Sequence, residues 1–286
     1  MTAFPRTVVG GVSVSRMLIG SNWFTGFSHC SPAKDEFIRG YAKNAKHIAD
    51  IIEVFLNAGV DTIMGSVSID EFYYGIHEAE QRTGKKVIII STPGLPWGPT
   101  TPSQGFDIAA VEKVLDFEAS RGVTFLMPHQ STTDSLVDRC VRQIRQMDVV
   151  CRLIRERNMI PGLSTHMPES IIYADESGLD VESYISIYNA DGFLMQVEVD
   201  WTAHIIRSAK KPVMTIKPMA AGQIRPFQAM NFVWNTLRPQ DMVTVGTMTP
   251  LEAKELIDMS LQILQGQEQQ IALQTTRSKQ SVMPQA

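Results

Sequence analysis

Several things are scarce in this 286-residue chain, and each absence removes a class of function. Its 26 lysines and arginines are outnumbered by 30 aspartates and glutamates, for a net charge of −4. The basic residues are scattered rather than massed, so the positive footprint of a nucleic-acid binder is missing. No apolar run approaches the roughly 18 residues of a membrane span. The start "MTAFPRTVVGGVSVSRMLIG" also lacks the charged opening and long apolar core of a secretion signal. Together these predict a cytoplasmic, soluble protein with neither a nucleic-acid nor a membrane partner. Cys30, Cys140 and Cys151 are odd in number and have no zinc-site spacing, which excludes a disulfide framework. Cys140 and Cys151 lie in a helical pattern and read as buried free thiols.

What the chain does have is a sizeable apolar fraction, 44%, distributed in a repeating pattern. Short apolar runs alternate with longer amphipathic stretches from end to end. Strands are expected at "RMLIGS", "VDTIMGS", "KVIIIST", "VTFLMPH", "IPGLSTH", "GFLMQVEV", "PVMTIKP" and "MVTVGT". The intervening segments repeat apolar residues at spacings of three and four. They include "AKHIADIIEVFLNAG", "DEFYYGIHEAEQRTG", "DSLVDRCVRQIRQMDVVCRLIRERN", "DVESYISIYNA" and "TPLEAKELIDMSLQIL". Eight strand–helix units predict a (β/α)8 TIM barrel, an α/β fold, as a single domain over 1–265. A polar, Gln-rich C-terminal tail is expected over 266–286.

In such a barrel the chemistry sits at the C-terminal ends of the strands. Those ends carry His129, Ser164 with His166, Gln196 with Glu198, and Lys217. Alternation along a strand puts Ser164 and His166 on one face, and Gln196 and Glu198 on another. Two imidazoles and a carboxylate leave open coordination positions on Zn, Mn, Fe or Co, so His129, His166 and Glu198 form a candidate metal set. The competing reading is that each of the three merely hydrogen-bonds a neighbouring loop. Lys217, carried out of "VMTI" into the barrel mouth, is a candidate proton carrier or an anchor for an anion.

The motifs "VSVSRMLIGSNWFTG", "NAGVDTIMG", "LMPHQ", "GLSTH", "MQVEV", "KPMAAG" and "VTVGTMTPLEAKEL" occur in an order and spacing that resembles the aldo-keto reductases, over residues 8–264. The resemblance implies an NAD(P)H cofactor and a catalytic group built from an aspartate, a tyrosine, a lysine and a histidine. His129 stands at the histidine position and Tyr74 is the candidate tyrosine. Ser164 and Gln196 match the positions that grip the nicotinamide amide. The family's aspartate corresponds to Met64, its lysine to Thr92 or Pro93, and the aromatic that stacks on the nicotinamide to Ile216. The usual basic residues are missing from "GTMTPLEA".

These features lead to one expectation with two alternatives. The first is a metal-assisted isomerase, epimerase or lyase acting on a sugar, keto-sugar or hydroxy acid, with Lys217 moving the proton. The alternative is a divergent NAD(P)H-dependent reductase using Tyr74 and His129. The third is a non-catalytic descendant that binds a ligand or a partner subunit. A small-molecule substrate is expected, and the oligomeric state is left open.

Overall fold

The chain opens with a hairpin that periodicity alone does not reveal: β1 (Arg6–Val9) and β2 (Val12–Ser15) pair antiparallel across Gly10 and Gly11. Both glycines have positive φ, +52° and +82°, the conformation a two-residue turn between twisted strands demands. In this computed structural model, residues 3–96, 105–269, 276, 279 and 282 are described.

After the hairpin come β3 (Met17–Gly20), a single turn α1 (Asn22–Thr25), α2 (Pro32–Ala42) and α3 (Ala45–Asn57). Then follow β4 (Thr62–Met64), α4 (Asp70–Thr83), β5 (Ile88–Ser91), α5 (Ile108–Ser120), β6 (Phe125–Leu126) and the turn α6 (Gln130–Thr133). A small hairpin, β7 (Val137–Asp138) with β8 (Gln143–Ile144), precedes α7 (Met147–Arg155). The chain continues through β9 (Ile160–Pro161), β10 (Leu163–Ser164), α8 (Glu169–Ser177), β11 (Tyr184–Ile187) and α9 (Val199–Ser208). It ends with β12 (Val213–Ile216), α10 (Pro226–Thr236), β13 (Met242–Val245) and α11 (Pro250–Leu264).

The long strands form one parallel ring. β3 pairs with β4 on one side and β13 on the other, and the order continues through β5, β6, β9 and β10, β11 and β12 back to β13. β9 and β10 are one strand broken at Gly162: β9 pairs with β6, and β10 pairs with β11. A Cβ at position 162 would lie 2.4 Å from Met127 Cε and 2.8 Å from the Ser183 carbonyl oxygen, so only glycine leaves room for Met127. The ring is thus the expected (β/α)8 barrel.

Side chains alternate between two cores. Leu18, Met64, Ile90, Phe125, Met127, Ile185, Met214 and Met242 fill the barrel interior, joined by Val9 and Val14 of the hairpin. Ile19, Ile63, Leu126, Leu163, Tyr184, Val213 and Val243 point outward into the helix layer. The hairpin enters β3 directly and Gly10 abuts Ile160 and Glu182, so it floors the barrel at the strands' N-terminal end. Among the described residues no helix is long and apolar enough to cross a membrane.

Three expectations need correction. The sixth strand is Tyr184–Ile187, not "GFLMQVEV", and "DVESYISIYNA" is therefore not a helix. All four residues of β11 are buried between β10 and β12, while Gln196 and Glu198 lie exposed on the path into α9. The helix expected from Asp134 through Asn158 forms only over Met147–Arg155. Upstream of it, Asp138 accepts hydrogen bonds from the backbone N–H of Cys140 and Val141, bending the chain into the small hairpin. That leaves Cys140 exposed and only Cys151 buried. Apart from residues 266–269, 276, 279 and 282, the expected tail lies outside the described residues.

Candidate active site

A cavity of about 740 Å³ opens at the C-terminal end of the ring. Near the barrel axis it is walled by His129, Ser164, His166, Ile185 and Lys217. From there it extends between the loops after β12 and β13 to Thr247, Glu252 and Glu255 at the start of α11. Ser164 and His166, two residues apart at the end of β10, both line this space, as alternation along the strand requires.

Each polar group is fixed by its own loop. His129 precedes α6, and its Nδ1 accepts hydrogen bonds from the Ser131 N–H at 3.3 Å and the Ser131 hydroxyl at 2.8 Å. A backbone N–H can only donate, so Nδ1 carries no proton and Nε2 does. His129 therefore offers the cavity an N–H donor. The His166 loop is pinned by Asp134, whose carboxylate accepts from the His166 N–H at 3.0 Å and from the Thr165 hydroxyl.

Lys217 sits at φ +60°, with Ala220 and Ala221 also left-handed at +47° and +57°. Three non-glycine residues in this region within five positions store strain, about 1 kcal/mol or more each. The strained turn carries the ammonium into the cavity wall. Burial there pushes the Lys217 pKa down to about 8.

A residue not anticipated from sequence completes the group. His29, at φ +62° in the loop after β3, lines the outer rim of the same cavity. Its loop is tied by Asp35, which accepts from the Ser28 N–H at 2.7 Å and the Ser28 hydroxyl at 2.6 Å. Desolvation and then Lys217 hold His29 and His129 below the usual histidine range. His166 is pushed down to about 4 by desolvation, then by Lys217, His129 and His29. At neutral pH the site therefore holds neutral imidazoles around one largely protonated amine.

Two hydroxyls in the outer wall are also notable. Thr244 in β13 and Thr247 just after it, 7% and 2% exposed, line the cavity, and neither side-chain oxygen has a hydrogen-bond partner. A buried hydroxyl left unpaired costs about 1–3 kcal/mol, which a ligand would recover.

The other expected site residues lie elsewhere. Tyr74 is on α4, 57% exposed, with its ring edge against Tyr73 at 5.8 Å, and it does not line the cavity. Gln196 and Glu198 do not line it either, since the strand meant to carry them is not a strand. The proposed His129, His166 and Glu198 metal set therefore does not assemble. Among the described residues no three or more histidine, cysteine, aspartate or glutamate side chains group to hold a metal ion. The imidazoles instead face an ammonium, which competes with any cation.

No protein-family model and no curated protein matches the sequence. Solved structures do match. A provisionally assigned aldo-keto reductase from Pseudomonas aeruginosa aligns over 91% of this chain and 95% of its own, with 18% identity and a TM-score of 0.64. An aldo/keto reductase from Brucella melitensis aligns over 92% and 93%, with 11% identity and a TM-score of 0.58. The glycerol dehydrogenase of Gluconobacter oxydans aligns over 96% and 100%, with 12% identity and a TM-score of 0.57. The fold is that of the aldo-keto reductases. At these identities the likeness covers architecture, and chemistry must be argued from the site.

Proposed function

We propose that this chain is a nicotinamide-dependent oxidoreductase for a small oxygenated substrate, in which Lys217 rather than a tyrosine supplies the proton. One observation carries the reading: a single cavity joins the half-buried amine of Lys217 to the unpaired hydroxyls of Thr244 in β13 and Thr247 just after it. The glycerol dehydrogenase and reductases that share the fold support the same class.

The wall residues fit a dinucleotide in part. Ser164 would hold a carboxamide, and Thr244 and Thr247 would satisfy their hydroxyls on sugar or phosphate oxygens. Arg225, on the loop before α10, is the wall cation available to a bridging phosphate. Glu252 and Glu255 suit ribose hydroxyls and repel an additional phosphate, so the form without that phosphate is the better match. When bound, the reduced nicotinamide supplies a hydride to the substrate carbon.

The chain's own groups do the rest. The His129 Nε2–H donates to the carbonyl oxygen and orients it. As the carbonyl is reduced, the Lys217 ammonium transfers a proton to the forming alkoxide, becomes a neutral amine and is reprotonated from solvent. A group with a pKa of about 8 suits this, being charged at neutral pH yet a ready donor. The strained loop and the packed wall hold the amine in place before the reaction.

The test is a fluorescence titration with NADH and NADPH, followed by a screen of small aldehydes, ketones and alcohols for turnover. Saturable nucleotide binding with turnover is expected. Binding of neither nucleotide would remove the reading.

A further inference from the structure

The enclosed cations of this chain have partners: Arg16, 9% exposed, donates to the carbonyl oxygens of Asp241 and Arg238. Arg155 lies 2.7 Å from Asp180 and 2.8 Å from Glu182, Arg157 lies 2.6 Å from Asp116, and Arg238 lies 2.7 Å from Asp241. Lys217 is half-buried as Arg155, Arg157 and Arg238 are, yet among the described residues no carboxylate pairs with it within 4.0 Å.

The groups around it come from every side of the cavity. They are His29 from the loop after β3, His129 from the loop after β6 and His166 from the loop after β10, all in electrostatic reach of Lys217. Asp35 acts on His29 but is engaged by Ser28, and the carboxylate of Asp134 is engaged by His166 N–H and Thr165. Arg225, Glu252 and Glu255 belong to the outer wall. An enclosed ammonium without a counter-ion is costly, and so is crowding imidazoles against it. The missing partner is an anion that the cavity is shaped to receive.

We infer that His29, His129, His166 and Lys217 form a carboxylate-binding site, and that the substrate is a small 2-oxo or 2-hydroxy acid. The site offers the Lys217 ammonium and the neutral Nε2–H donor of His129, which together match a monoanion better than a phosphate dianion. His129, His166 and Lys217 line one cavity with His29 at its rim, so the bound carboxylate and the carbonyl facing His129 and Lys217 are adjacent on the substrate. The carboxylate site stands by itself, whereas the 2-oxo or 2-hydroxy assignment rests on the oxidoreductase reading.

The experiment is calorimetric titration of the full chain, without nucleotide, using lactate, pyruvate, 1,2-propanediol and inorganic phosphate. Lactate should bind at least about tenfold more tightly than propanediol, which has the same skeleton without the carboxylate. The preference should fall at least about tenfold between pH 7 and about pH 9.5, as the Lys217 proton is lost. Lys217→Met should abolish it with the circular dichroism spectrum unchanged. His166→Gln, as a second variant, should weaken lactate binding and leave the pH midpoint in place. Equal binding of lactate and propanediol overturns the site, as does a preference that survives Lys217→Met or ignores pH. Tighter phosphate binding overturns the carboxylate assignment. Nucleotide titrations separate the two readings: lactate binding without nucleotide binding keeps the site and removes the oxidoreductase, and the reverse removes the site alone.

Discussion

The Cys30 thiol lies 3.1 Å from the carbonyl oxygen of Ala221, joining the loop after β3 to the strained loop after β12. His29 stands beside one partner of this contact, and Lys217 lies four residues before the other. The contact therefore sets the spacing of two members of the basic quartet at the cavity's edge. Replacing Cys30 by valine should raise KM a few-fold with a smaller change in kcat, because the loops lose register while the proton donor remains. Cys30→Ser, which can still donate, should restore the parent KM. An unchanged KM in the valine variant would show that the contact does not hold the two loops in register.

Lys217→Met should lower kcat by about 10²–10⁴-fold, the usual contribution of a positioned acid, while nucleotide binding persists. Steady-state kinetics beside a nucleotide titration measures both. Full activity in the variant would assign the proton to another group.

The pH dependence has a defined sign. Lys217 must be protonated to serve as the acid, so kcat/KM for reduction should hold below about pH 8 and fall above it. A reduction profile that stays flat past pH 9 would contradict the assignment.

The same amine makes a stability prediction. Its pKa is lowered from 10.5 to about 8 in the folded chain. Between those values the unfolded chain holds a proton that the folded chain has lost, so parent stability gains as pH rises through this window. Below it, the folded state bears the full cost of the enclosed ammonium. Lys217→Met should therefore be more stable than the parent at pH 7, by about 1–3 kcal/mol, with the gap closing toward pH 10.5. Urea unfolding at pH 7 and pH 10 reads this difference.

Glu252 and Glu255 should make NADH the tighter nucleotide by about tenfold or more, through repulsion of the extra phosphate. Changing both to glutamine should narrow the gap. Glu252→Gln can still accept the Met248 N–H that Glu252 now accepts at 2.6 Å, so the start of α11 is retained. Tighter binding of NADPH by the parent would reverse the assignment.

Much of the architecture was legible because the helix and strand periods differ. α3 spans Ala45–Asn57 as its spacing requires, with Asn44 capping it through the N–H groups of Lys46 and His47, and α4 ends against Gly84 at φ +67°. The misplaced sixth strand has a physical cause. Two strand-like runs lie close together, and the structure selects the first because Asn189 then turns the chain, its Oδ1 accepting from the Phe193 N–H at 2.8 Å and its Nδ2 donating to the Phe193 carbonyl at 3.1 Å. Glu198 and Gln196 were lost from the site with that strand. His129, His166 and Lys217 were found because each follows a run whose strand was correctly placed. His29 lies in an aperiodic loop, where only its place after the first barrel strand signalled a role. Thr244 and Thr247 are ordinary in sequence, and only the unpaired state of their hydroxyls sets them apart.

The floor that β1 and β2 lay across the barrel has a kinetic consequence. With Val9 and Val14 sealed into the interior core, traffic to Lys217 must pass the loop side, where Cys30 and Ala221 meet. A blind vestibule of this kind favours a compulsory order: whichever reactant lies deeper enters first and departs last. Product-inhibition patterns should then show one competitive pair and not two. The hairpin, furthest from the chemistry, would set the sequence in which ligands come and go.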